Sequence, residues 1–502
     1  MSGQFIDQLH QGMVDQPVWT DQLVAESGMQ TIDTPFVSVG GGIGSFTVVD
    51  YLRLAGIHTN QITVLGNQDK PYATYKTLAN NSQIPDHERL RSDAGSVLDS
   101  PWGFPSYAFR EAAAKKDLTP LWSVLTEPIL TEYYTPQAAQ VYQSVDRETA
   151  RIGWHEMLKL GQVRLIRRRA DGGYFVVFTP KNHSARIIYR TRFAHIAVGY
   201  PGIKMLQDLQ DYKIKYKDLS RIVNAYEDHS QIYSALAQHP GRVLVRGSGI
   251  VASRVLQRLL DQHESGRPVQ VLHLFRNYVS GPQQTPSSGT RIGKNGFAYQ
   301  AFNYPKAAWG GQLKDQLLRS HEQGRADLIR QTGGTNTAPR ASWTNQLARC
   351  QQQGSYVQLV GQVKDIHPVE GQGIRTVVQA QNGPIEVDAD FIIDATGLEA
   401  GVDRDRLLTD LITNGGGRKN TFGRLQVTPS FEVEGTGTGF GKVYASGAMT
   451  LGGPYAPVDS FLGLQYAAQQ IVDDLAANGF GQRMGPLRSM SQWYRWLKNM
   501  QP

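Results

Sequence analysis

A strand, a glycine-rich turn, a helix and a second strand follow one another between residues 36 and 65, and this succession constrains the fold more than any other stretch. Phe36–Val39 is apolar and β-branched, which is typical of a short buried strand. A helix is then predicted from apolar residues at helical spacing and a glycine stop, namely Phe46, Val49, Leu52, Ala55 and Gly56. With the apolar run Ile62–Leu65, the pattern predicts the first half of a dinucleotide-binding βαβ unit.

The turn between this strand and this helix contains Gly40, Gly41, Gly42 and Gly44. Gly40 would allow a tight turn, and Gly42 would let the backbone approach a pyrophosphate. The helix that follows would offer unpaired N–H groups and the positive end of its dipole to that anion. The alternative is a glycine turn with a purely structural role.

Two residues depart from the usual fingerprint of such a unit. Ser45 stands where a third glycine is usual. Gly66 ends the second strand, where an acidic residue usually holds the ribose hydroxyls. Asp69 and Asn67 are the nearby candidates to replace that acid.

Composition narrows the class of protein. At 502 residues the chain has the length of two or three domains, and its net charge of +7 is spread without a long basic run. This favours an anionic ligand, or simple solubility, over nucleic acid. The single cysteine, Cys350, excludes internal disulfides, a Cys-x-x-Cys pair and a thiolate metal cluster, and on this ground we expect that the protein is not a disulfide reductase. With no secretory signal, membrane span or metal cluster expected, we predict a cytoplasmic protein without a bound metal.

A second fingerprint lies about 200 residues further along. A strand ends at Arg246, Gly247-Ser248-Gly249 forms the turn, and Ala252 takes the third position, which tolerates alanine. The next strand, Val269–Phe275, is followed by Arg276, which offers a fixed cation to a 2′-phosphate where an acid would favour a free ribose hydroxyl. We therefore predict NADP rather than NAD at this unit, the alternative being an arginine that caps the strand in solvent.

The closing segments indicate a domain that is completed late in the chain. Phe391–Ile393 reads as a buried strand that Asp394-Ala395-Thr396-Gly397 interrupts, and Lys442–Met449 reads as a short strand followed by a glycine turn. A helix is predicted over Ser460–Leu475. The pattern thus predicts an α/β fold with two Rossmann-like domains, the second being inserted into a discontinuous first domain. The predicted parts are an N-terminal extension (1–30), the first domain (31–225 and 385–480), the second domain (240–384) and a C-terminal helix (481–502).

Four motifs carry a resemblance to a known family. They read GGGIGS at 40–45, VGYPGIKML at 198–206, EDHSQIY at 227–233 and DATGL at 394–398. In this order they resemble the flavoproteins with two dinucleotide-binding domains, and most of all the class B, FAD- and NADPH-dependent flavin monooxygenases of the N-hydroxylating type.

The resemblance implies FAD and NADP as cofactors, with an NAD(P)H domain (the second domain) inserted into a discontinuous FAD domain (the first). It also implies further residues that border the cofactors, namely His229, Thr396, Gly397, Gly447 and Ala448. His229 has two alternatives, contact with the nicotinamide nucleotide or shaping of the domain junction, besides an exposed linker position. Ala448 departs from related flavoproteins, which carry an aspartate there, so FAD would be anchored differently. No catalytic side chain is assigned, because the flavin carries the chemistry in such enzymes.

Three further stretches are candidates for function. Trp102 lies in an aromatic, proline-rich loop that would lie against a flat ring, the alternative being a hydrophobic plug. The long insertion 280–345 is aromatic and basic, and would bind a flat or anionic substrate or close over the flavin, unless it is a solvent loop with a small core of its own. The C-terminal helix carries Trp493 and Trp496 with basic residues, which fits docking on the protein itself, or else a membrane or protein contact.

Three functions remain open from the sequence. The first is an NADPH-dependent flavin monooxygenase that acts on a small nucleophilic substrate. The second is a reductase of the same architecture that passes electrons to a quinone or a carrier protein. The third is a partner or assembly factor that binds nucleotide with little turnover.

Overall fold

The computed structural model describes residues 11–90, 95–127, 129, 134–278, 281–285, 289–294, 296–299, 308, 310–332, 341–369 and 373–502. Within these ranges the chain forms two α/β units, each built on its own sheet. The predicted fold class is confirmed. The strands, in chain order, are β1 (Val18–Trp19), β2 (Gln30–Asp33), β3 (Phe36–Val39), β4 (Ile62–Gly66), β5 (Leu158–Arg169), β6 (Tyr174–Pro180), β7 (Ile187–Thr191), β8 (Phe193–Ile196), β9 (Gly202–Ile203), β10 (Ile222–Asn224), β11 (Gly241–Arg246), β12 (Val269–Phe275), β13 (Gly281–Thr285), β14 (Gly289–Lys294), β15 (Phe297–Tyr299), β16 (Tyr356–Val360), β17 (Gln362–Val369), β18 (Gly373–Ala380), β19 (Gly383–Ala389), β20 (Phe391–Asp394), β21 (Leu398–Glu399) and β22 (Lys442–Ala445).

The helices cover the faces of both sheets. Short 3₁₀ turns stand at Thr59–Gln61, Val402–Arg404 and Gly447–Thr450. The α-helices are α1 (Gln11–Val14), α2 (Asp21–Glu26), α3 (Ile43–Leu54), α4 (Ala73–Asn81), α5 (Tyr107–Lys115), α6 (Thr119–Thr126), α7 (Ala138–Ile152), α8 (Trp154–Met157), α9 (Gln207–Tyr216), α10 (Ser230–Gln238), α11 (Ile250–Glu264), α12 (Gln312–Arg319), α13 (Glu322–Thr332), α14 (Ala341–Gln352), α15 (Arg406–Thr413), α16 (Phe461–Ala477) and α17 (Pro486–Leu497).

The first sheet has the strand order β2-β7-β6-β5-β4-β3-β8-β22, with β1 pairing beside β5. Strands β5, β4, β3, β8 and β22 run parallel, and the last of them arrives some 240 residues after β8, so this sheet is completed only after the second unit has been made. Helices α3 and α16 pack together on it. The extension also joins this unit, because β1 pairs with β5 and Trp19 is fully buried.

The second sheet is parallel throughout, in the order β10-β20-β11-β12-β16. Two predicted boundaries were wrong here, since Ile222–Asn224 and Phe391–Asp394 were both assigned to the FAD domain. Ile222–Asn224 pairs with Phe391–Asp394, which pairs on its other side with β11. The physical reason is that Ile392 and Ile393 are buried in the hydrophobic cores on the two faces of this sheet. The chain therefore leaves the second unit after residue 394.

The two chain crossings between the units lie side by side. Strand β9 follows the first sheet and β21 follows the second, and they pair antiparallel as a two-stranded ribbon. Asp394 ties both crossings together, because its Oδ2 accepts from the Leu206 N–H at 2.8 Å and its Oδ1 from the Thr396 N–H at 3.0 Å. Burial raises the pKa of Asp394, which these hydrogen bonds oppose.

The insertion between β12 and β16 is described in part. Most of its predicted aromatic and basic cluster (Phe302, Tyr304, Lys306 and Trp309) lies outside the described residues. Phe297 is buried against Phe275 and Trp343 in the second unit. Helices α12 and α13 reach the first unit, where Leu313, Leu317 and Ile329 form an apolar cluster with Ala456. The described part of the insertion thus packs across both units.

The C-terminal helix α17 docks on the first unit. The Trp493 Nε1–H donates to the Phe104 carbonyl at 3.0 Å, and the Arg488 Nε–H donates to the Leu54 carbonyl at 2.9 Å. The Arg151 guanidinium holds the carbonyl of Met500 at 3.0 Å. Of the helices described, none is long and apolar enough to cross a membrane.

Candidate dinucleotide sites

The two glycine turns have the same backbone geometry. Gly40 and Gly247 both adopt positive φ, +101° and +127°, and a side chain on either would clash with a carbonyl oxygen, that of Ala197 or Ala395. Two residues on, Gly42 and Gly249 cap α3 and α11 with φ of −85° in both cases. Each turn therefore presents a helix N-terminus at the carboxyl edge of a parallel sheet, which is the arrangement that binds a pyrophosphate.

The second glycine of each turn faces open space. A methyl group added to Gly249 would meet no atom within 4 Å, and one added to Gly42 would meet only the Pro71 carbonyl oxygen, at 3.9 Å. Both residues have a φ that any amino acid adopts, so neither glycine is needed for the conformation. Room for a ligand is the remaining physical reason for glycine at these positions.

Gly66, the predicted defect of the first unit, is required by packing. A side chain added to it would lie 2.6 Å from the Cα and 2.7 Å from the N of Gly41. The end of β4 therefore rests on the glycine turn, and no acidic residue fits there. Asp69 is exposed beyond this contact, and the Gln68 amide oxygen accepts from the Thr74 hydroxyl at 3.0 Å.

Ser45, in the third position of the first turn, is fully buried. Its Oγ has no hydrogen-bond partner among the described residues. Gly44 beside it is tightly enclosed, since an added methyl would lie 3.0 Å from the Ala197 Cβ and 3.3 Å from the Ser446 Oγ. An orphaned hydroxyl at this point of a dinucleotide turn fits a bound ligand that satisfies it.

A buried polar chain crosses the first sheet behind the turn. His195 on β8 lies 2.9 Å from the Ser38 Oγ through Nδ1 and 2.9 Å from the Ser446 Oγ through Nε2. Burial lowers the pKa of His195 to about 3, so the imidazole is neutral. The chain joins β3, β8 and the end of β22, the three strands around the turn. The polar residues Ser38 and His195, each inside an otherwise apolar strand, are the sequence signal that predicts it.

A second neutral histidine lies behind the second turn. The His273 Nε2–H donates to the Gly247 carbonyl at 2.6 Å, because a carbonyl oxygen only accepts. Its Nδ1 then accepts from the Tyr356 hydroxyl at 2.8 Å. Burial lowers the pKa of His273 to about 4. This side chain fixes the turn from beneath, and its position within the apolar strand β12 is again the only sequence signal.

A large cavity of about 1470 Å³ separates the two units. The second unit contributes Gly247, Ser248 and Gly249 to its wall, and the first unit contributes Ala448 and Ser460, the latter capping α16. The first turn, Gly40–Ser45, is not among the described lining residues. Ser446 lies between this turn and the cavity. Its Oγ is close to Gly44, and Ala448, two residues further along the chain, lines the cavity wall.

The cavity is strongly basic. Only Asp208 and Asp459 contribute carboxylates to its described wall, against seven cations, namely Arg89, Lys204, Arg246, Arg254, Arg276, Arg330 and Arg424. Four of these cations are ion-paired, namely Arg89 with Glu111, Arg246 with Asp208, Arg254 with Glu88 and Arg330 with Asp327. Arg276, in contrast, is exposed at the end of β12 beside Asn277. Such an excess of positive charge fits a polyanionic ligand.

Arg424 is a functional candidate that the sequence motifs do not indicate. Its Nε and Nη1 are buried and have no hydrogen-bond partner among the described residues. It lines the cavity near Tyr200, whose hydroxyl donates to Asp459 Oδ2 at 2.7 Å. Burial lowers the pKa of Arg424, which the neighbouring Tyr200 and Asp459 oppose. A buried guanidinium with two free donors at a cavity wall suits an anionic group.

The other predicted site residues fall into two groups. Thr396 and Gly397 line the cavity. Ala252 is fully buried inside α11, and His229 is buried at the junction, where its Nε2 lies 3.0 Å from the Tyr233 hydroxyl and 3.5 Å from the Gln83 amide nitrogen. Of the positions considered for His229, the one at the domain junction is therefore the one it occupies.

Trp102, predicted as a cofactor contact, is not among the described residues that line the cavity. Its Nε1–H donates to the Ser489 hydroxyl at 2.8 Å, and its ring lies 5.9 Å from that of Trp496. The reason is that α17 covers the proline-rich loop and supplies the apolar partner that the indole needs. Over the described part of the chain, no three His, Cys, Asp or Glu side chains are grouped to hold a metal ion.

The fold is shared with solved flavoproteins. The ornithine N-hydroxylase of Kutzneria sp. 744, solved with reduced FAD, NADP⁺ and L-ornithine, is 14% identical with a TM-score of 0.63, and the match covers 89% of this chain and 100% of that one. The FAD-bound cadaverine monooxygenase of Erwinia amylovora is 13% identical with a TM-score of 0.65, covering 90% and 96%. The bacillithiol disulfide reductase of Bacillus cereus is 13% identical with a TM-score of 0.53, covering 88% and 100%.

No family model and no curated protein matches the sequence. The likeness to solved structures therefore shows the fold. The chain has the fold of the flavoproteins with two dinucleotide-binding domains, in the form found in N-hydroxylating monooxygenases and in bacillithiol disulfide reductases. The architecture that the four sequence motifs predicted is confirmed.

Proposed function

We propose that the protein is an FAD-dependent oxidoreductase that takes hydride from NADPH and acts as a monooxygenase on a small nucleophilic substrate. The observation that carries this proposal is the pair of similar glycine turns, one on each sheet, with a basic cavity between the units. Two solved proteins with the same fold are named for hydroxylation of ornithine or for oxygenation of cadaverine, so an amine is the proposed substrate class.

The residues present fit both cofactors. The FAD diphosphate would lie on Gly40–Ser45, where Gly42 leaves room and the buried Ser45 hydroxyl lacks a partner. Its ring system would reach the cavity at Gly447 and Ala448, with Asp69 beside the ribose. NADP would lie on Gly247–Gly249, next to Thr396 and Gly397. His229 and Ala252 would support this site from behind.

The side chains of the cavity would position substrate and exclude water. A bound flavin would supply the hydride acceptance and the oxygen chemistry. Arg424 would hold an anionic group of substrate or nucleotide, since its Nε and Nη1 are buried without partners in the described part of the chain. Helices α12 and α13, packed on Ala456, would close the cavity on the side of the first unit.

The test starts from the purified full-length protein. We expect a bound flavin spectrum that is bleached by NADPH without oxygen, and a hydroxylated product when oxygen and a primary amine (ornithine, lysine or cadaverine) are added. Bleaching followed by reoxidation that needs a quinone, without an oxygenated product, would favour a reductase. Absence of flavin, or no bleaching, would overturn both and leave a nucleotide-binding partner with little turnover.

The preference for NADP over NAD has its own test. Arg276→Ala should raise the Michaelis constant for NADPH about tenfold or more while changing that for NADH little, because the lost cation would contact only the 2′-phosphate. Steady-state kinetics with both nucleotides measures this, and Arg267→Ala, in the loop before β12, is the control. An equal effect on both nucleotides would remove the reason to prefer NADP.

We also infer a cytoplasmic location, with the C-terminal helix making a peripheral contact with a membrane or with another protein. Supporting this, α17 docks by Trp493 and Trp496 but leaves Leu487, Met490 and Tyr494 exposed. Fractionation of cells that express the full chain tests the location, and recovery of the protein outside the cytoplasm would contradict it.

A further inference from the structure

Helix α6 exposes an apolar stripe that no motif accounts for. Trp122 and Leu125 lie on one side of the helix, Leu118 is its N-cap residue and Ile129 follows its C-terminal end, and each is between 63% and 84% exposed. The segment from Leu118 to Thr126 contains no charged residue. Exposed large apolar side chains that line up on one face mark an interaction surface rather than a scatter.

Helix α17 exposes a second stripe. Leu487, Met490, Tyr494 and Leu497 lie within one side of the helix at the spacing of three and four residues, and the first of them is 85% exposed. The opposite side carries Gln492 and Trp496, which are buried against the protein. The exposed side is therefore not needed for docking the helix.

The two stripes are connected by a chain of contacts. The Trp493 indole donates to the Phe104 carbonyl, and the Phe104 ring lies 5.5 Å from that of Phe109 on α5. Phe104 and Phe109 are themselves exposed, and α5 packs on α6. The exposed residues of α6 and α17 and these two phenylalanines are together called the two-helix surface.

Charge indicates what this surface meets. The last 25 residues, 478–502, contain Arg483, Arg488, Arg495 and Lys498 and no acidic residue. Lys498 lies over the Tyr494 ring at 6.0 Å, so it stands beside the exposed stripe. Around α6 the charges are mixed, because Lys115 is paired with Glu111 and the helix lies between Lys116-Asp117 and Glu127, so the basic charge beside the surface is that of α17. Apolar and aromatic side chains flanked by basic ones are the pattern of a helix that lies in the interface of an anionic bilayer.

We propose that the two-helix surface docks the protein on an anionic membrane surface, with α6 and α17 lying in the headgroup region. The proposal rests on the peripheral contact proposed above and extends it to α6 and to a stated partner. It is independent of turnover, so the flavin content and NADPH oxidation of each variant report separately on the proposed enzyme. The proposed docking does not involve a membrane-spanning helix, since none of the described helices has the length and hydropathy that such a helix needs.

Sedimentation with vesicles tests the proposal on the full-length protein. We compare vesicles of phosphatidylcholine alone with vesicles that contain about one third phosphatidylglycerol. We expect binding to the anionic vesicles that weakens as salt rises. Trp122→Glu with Leu125→Glu should reduce the partition constant at least about tenfold, because burial of each side chain would be lost. Lys498→Gln should weaken binding to anionic vesicles only.

A matched control separates specific docking from general stickiness. Ile214 on α9 is 76% exposed but lies in the second unit, so Ile214→Glu should leave vesicle binding unchanged. Each variant is also examined by light scattering after gel filtration. The proposal is overturned if the wild-type chain binds no vesicles. It is also overturned if Trp122→Glu with Leu125→Glu lowers the oligomer mass while vesicle binding is unchanged, because the surface then joins copies of the chain.

Discussion

Two glycines in each dinucleotide turn have different reasons for being glycine. Gly247 has a positive φ and a carbonyl oxygen against its α-carbon, whereas Gly249 has ordinary backbone angles and open space. The first is therefore a requirement of the chain, and the second is a requirement of a ligand. The same division holds for Gly40 and Gly42.

Gly249→Ala should leave the free energy of unfolding within about 1 kcal/mol of the wild type, because its backbone angles suit alanine and its Cβ would meet open space, which leaves only the lower N-cap preference of alanine. The added methyl would stand where a pyrophosphate approaches, so we expect the Michaelis constant for NADPH to rise about tenfold or more. Gly247→Ala is the matched comparison and should instead destabilise the fold by about 1–3 kcal/mol. Wild-type NADPH kinetics in Gly249→Ala would contradict a nucleotide at this turn.

Gly66→Asp restores the acidic residue that related sites carry, yet it should impair the protein. The new side chain would start 2.6 Å from the Gly41 Cα, so we expect a loss of about 1–3 kcal/mol in the free energy of unfolding and less bound flavin. Urea unfolding and the flavin-to-protein ratio measure both effects. Asn67→Asp, one residue further and exposed, serves as control. Unchanged stability with tighter flavin in Gly66→Asp would refute this explanation.

At the scale of elements, strand pairing decides which unit a segment joins. Strand β20 lies close in sequence to the closing part of the first unit, yet it pairs between β10 and β11. An apolar run such as Phe391–Ile393 predicts a buried strand but not its neighbours, because register and partner depend on long-range contacts. The pairing of β9 with β21 cannot be predicted from local sequence for the same reason.

Asp394→Ala tests the tie between the two crossings. The N–H groups of Leu206 and Thr396 would lose the buried carboxylate that accepts from them, so we expect a loss of about 1–3 kcal/mol in the free energy of unfolding. The Michaelis constant for NADPH should also rise, because Thr396 lines the cavity. Asp403→Ala, which removes an exposed ion pair with Lys419, should cost less than about 1 kcal/mol. An equal loss in the free energy of unfolding for the two variants would show that the Asp394 hydrogen bonds stabilise the fold no more than an exposed ion pair does.

At the scale of the molecule, two neutral histidines make the fold sensitive to acid. Burial lowers the pKa of His195 to about 3 and that of His273 to about 4, against an ordinary value of 6.5. Below pH 6.5 the unfolded chain takes up these protons and the folded chain does not. The free energy of unfolding therefore falls by about 1.4 kcal/mol per pH unit for each histidine, down to the folded pKa.

His273→Gln should reduce this pH dependence. Urea unfolding at pH 6.5 and pH 5 should show a loss about 2 kcal/mol smaller in the variant than in the wild type. The comparison with wild type isolates the histidine. Buried Asp394, whose pKa is raised, changes the free energy of unfolding with pH in the opposite direction, but it does so equally in both proteins and cancels in the difference. His239→Gln, which is exposed, should keep the wild-type dependence. Identical pH dependence in His273→Gln would show that this histidine is not neutral in the fold.

The sequence by itself determined the two turns, the α/β class and the late completion of the first unit. Glycine spacing and strand–helix periodicity are local, and they carry that information directly. Tertiary structure alone decided why residue 66 is glycine, where Trp102 and β20 lie, and that Arg424 borders the cavity. Each of these depends on a contact between residues far apart in the chain, such as Gly66 with Gly41, Trp102 with Ser489 and Ile393 with Val245. Packing between distant segments has no local signature, so only the folded chain shows it.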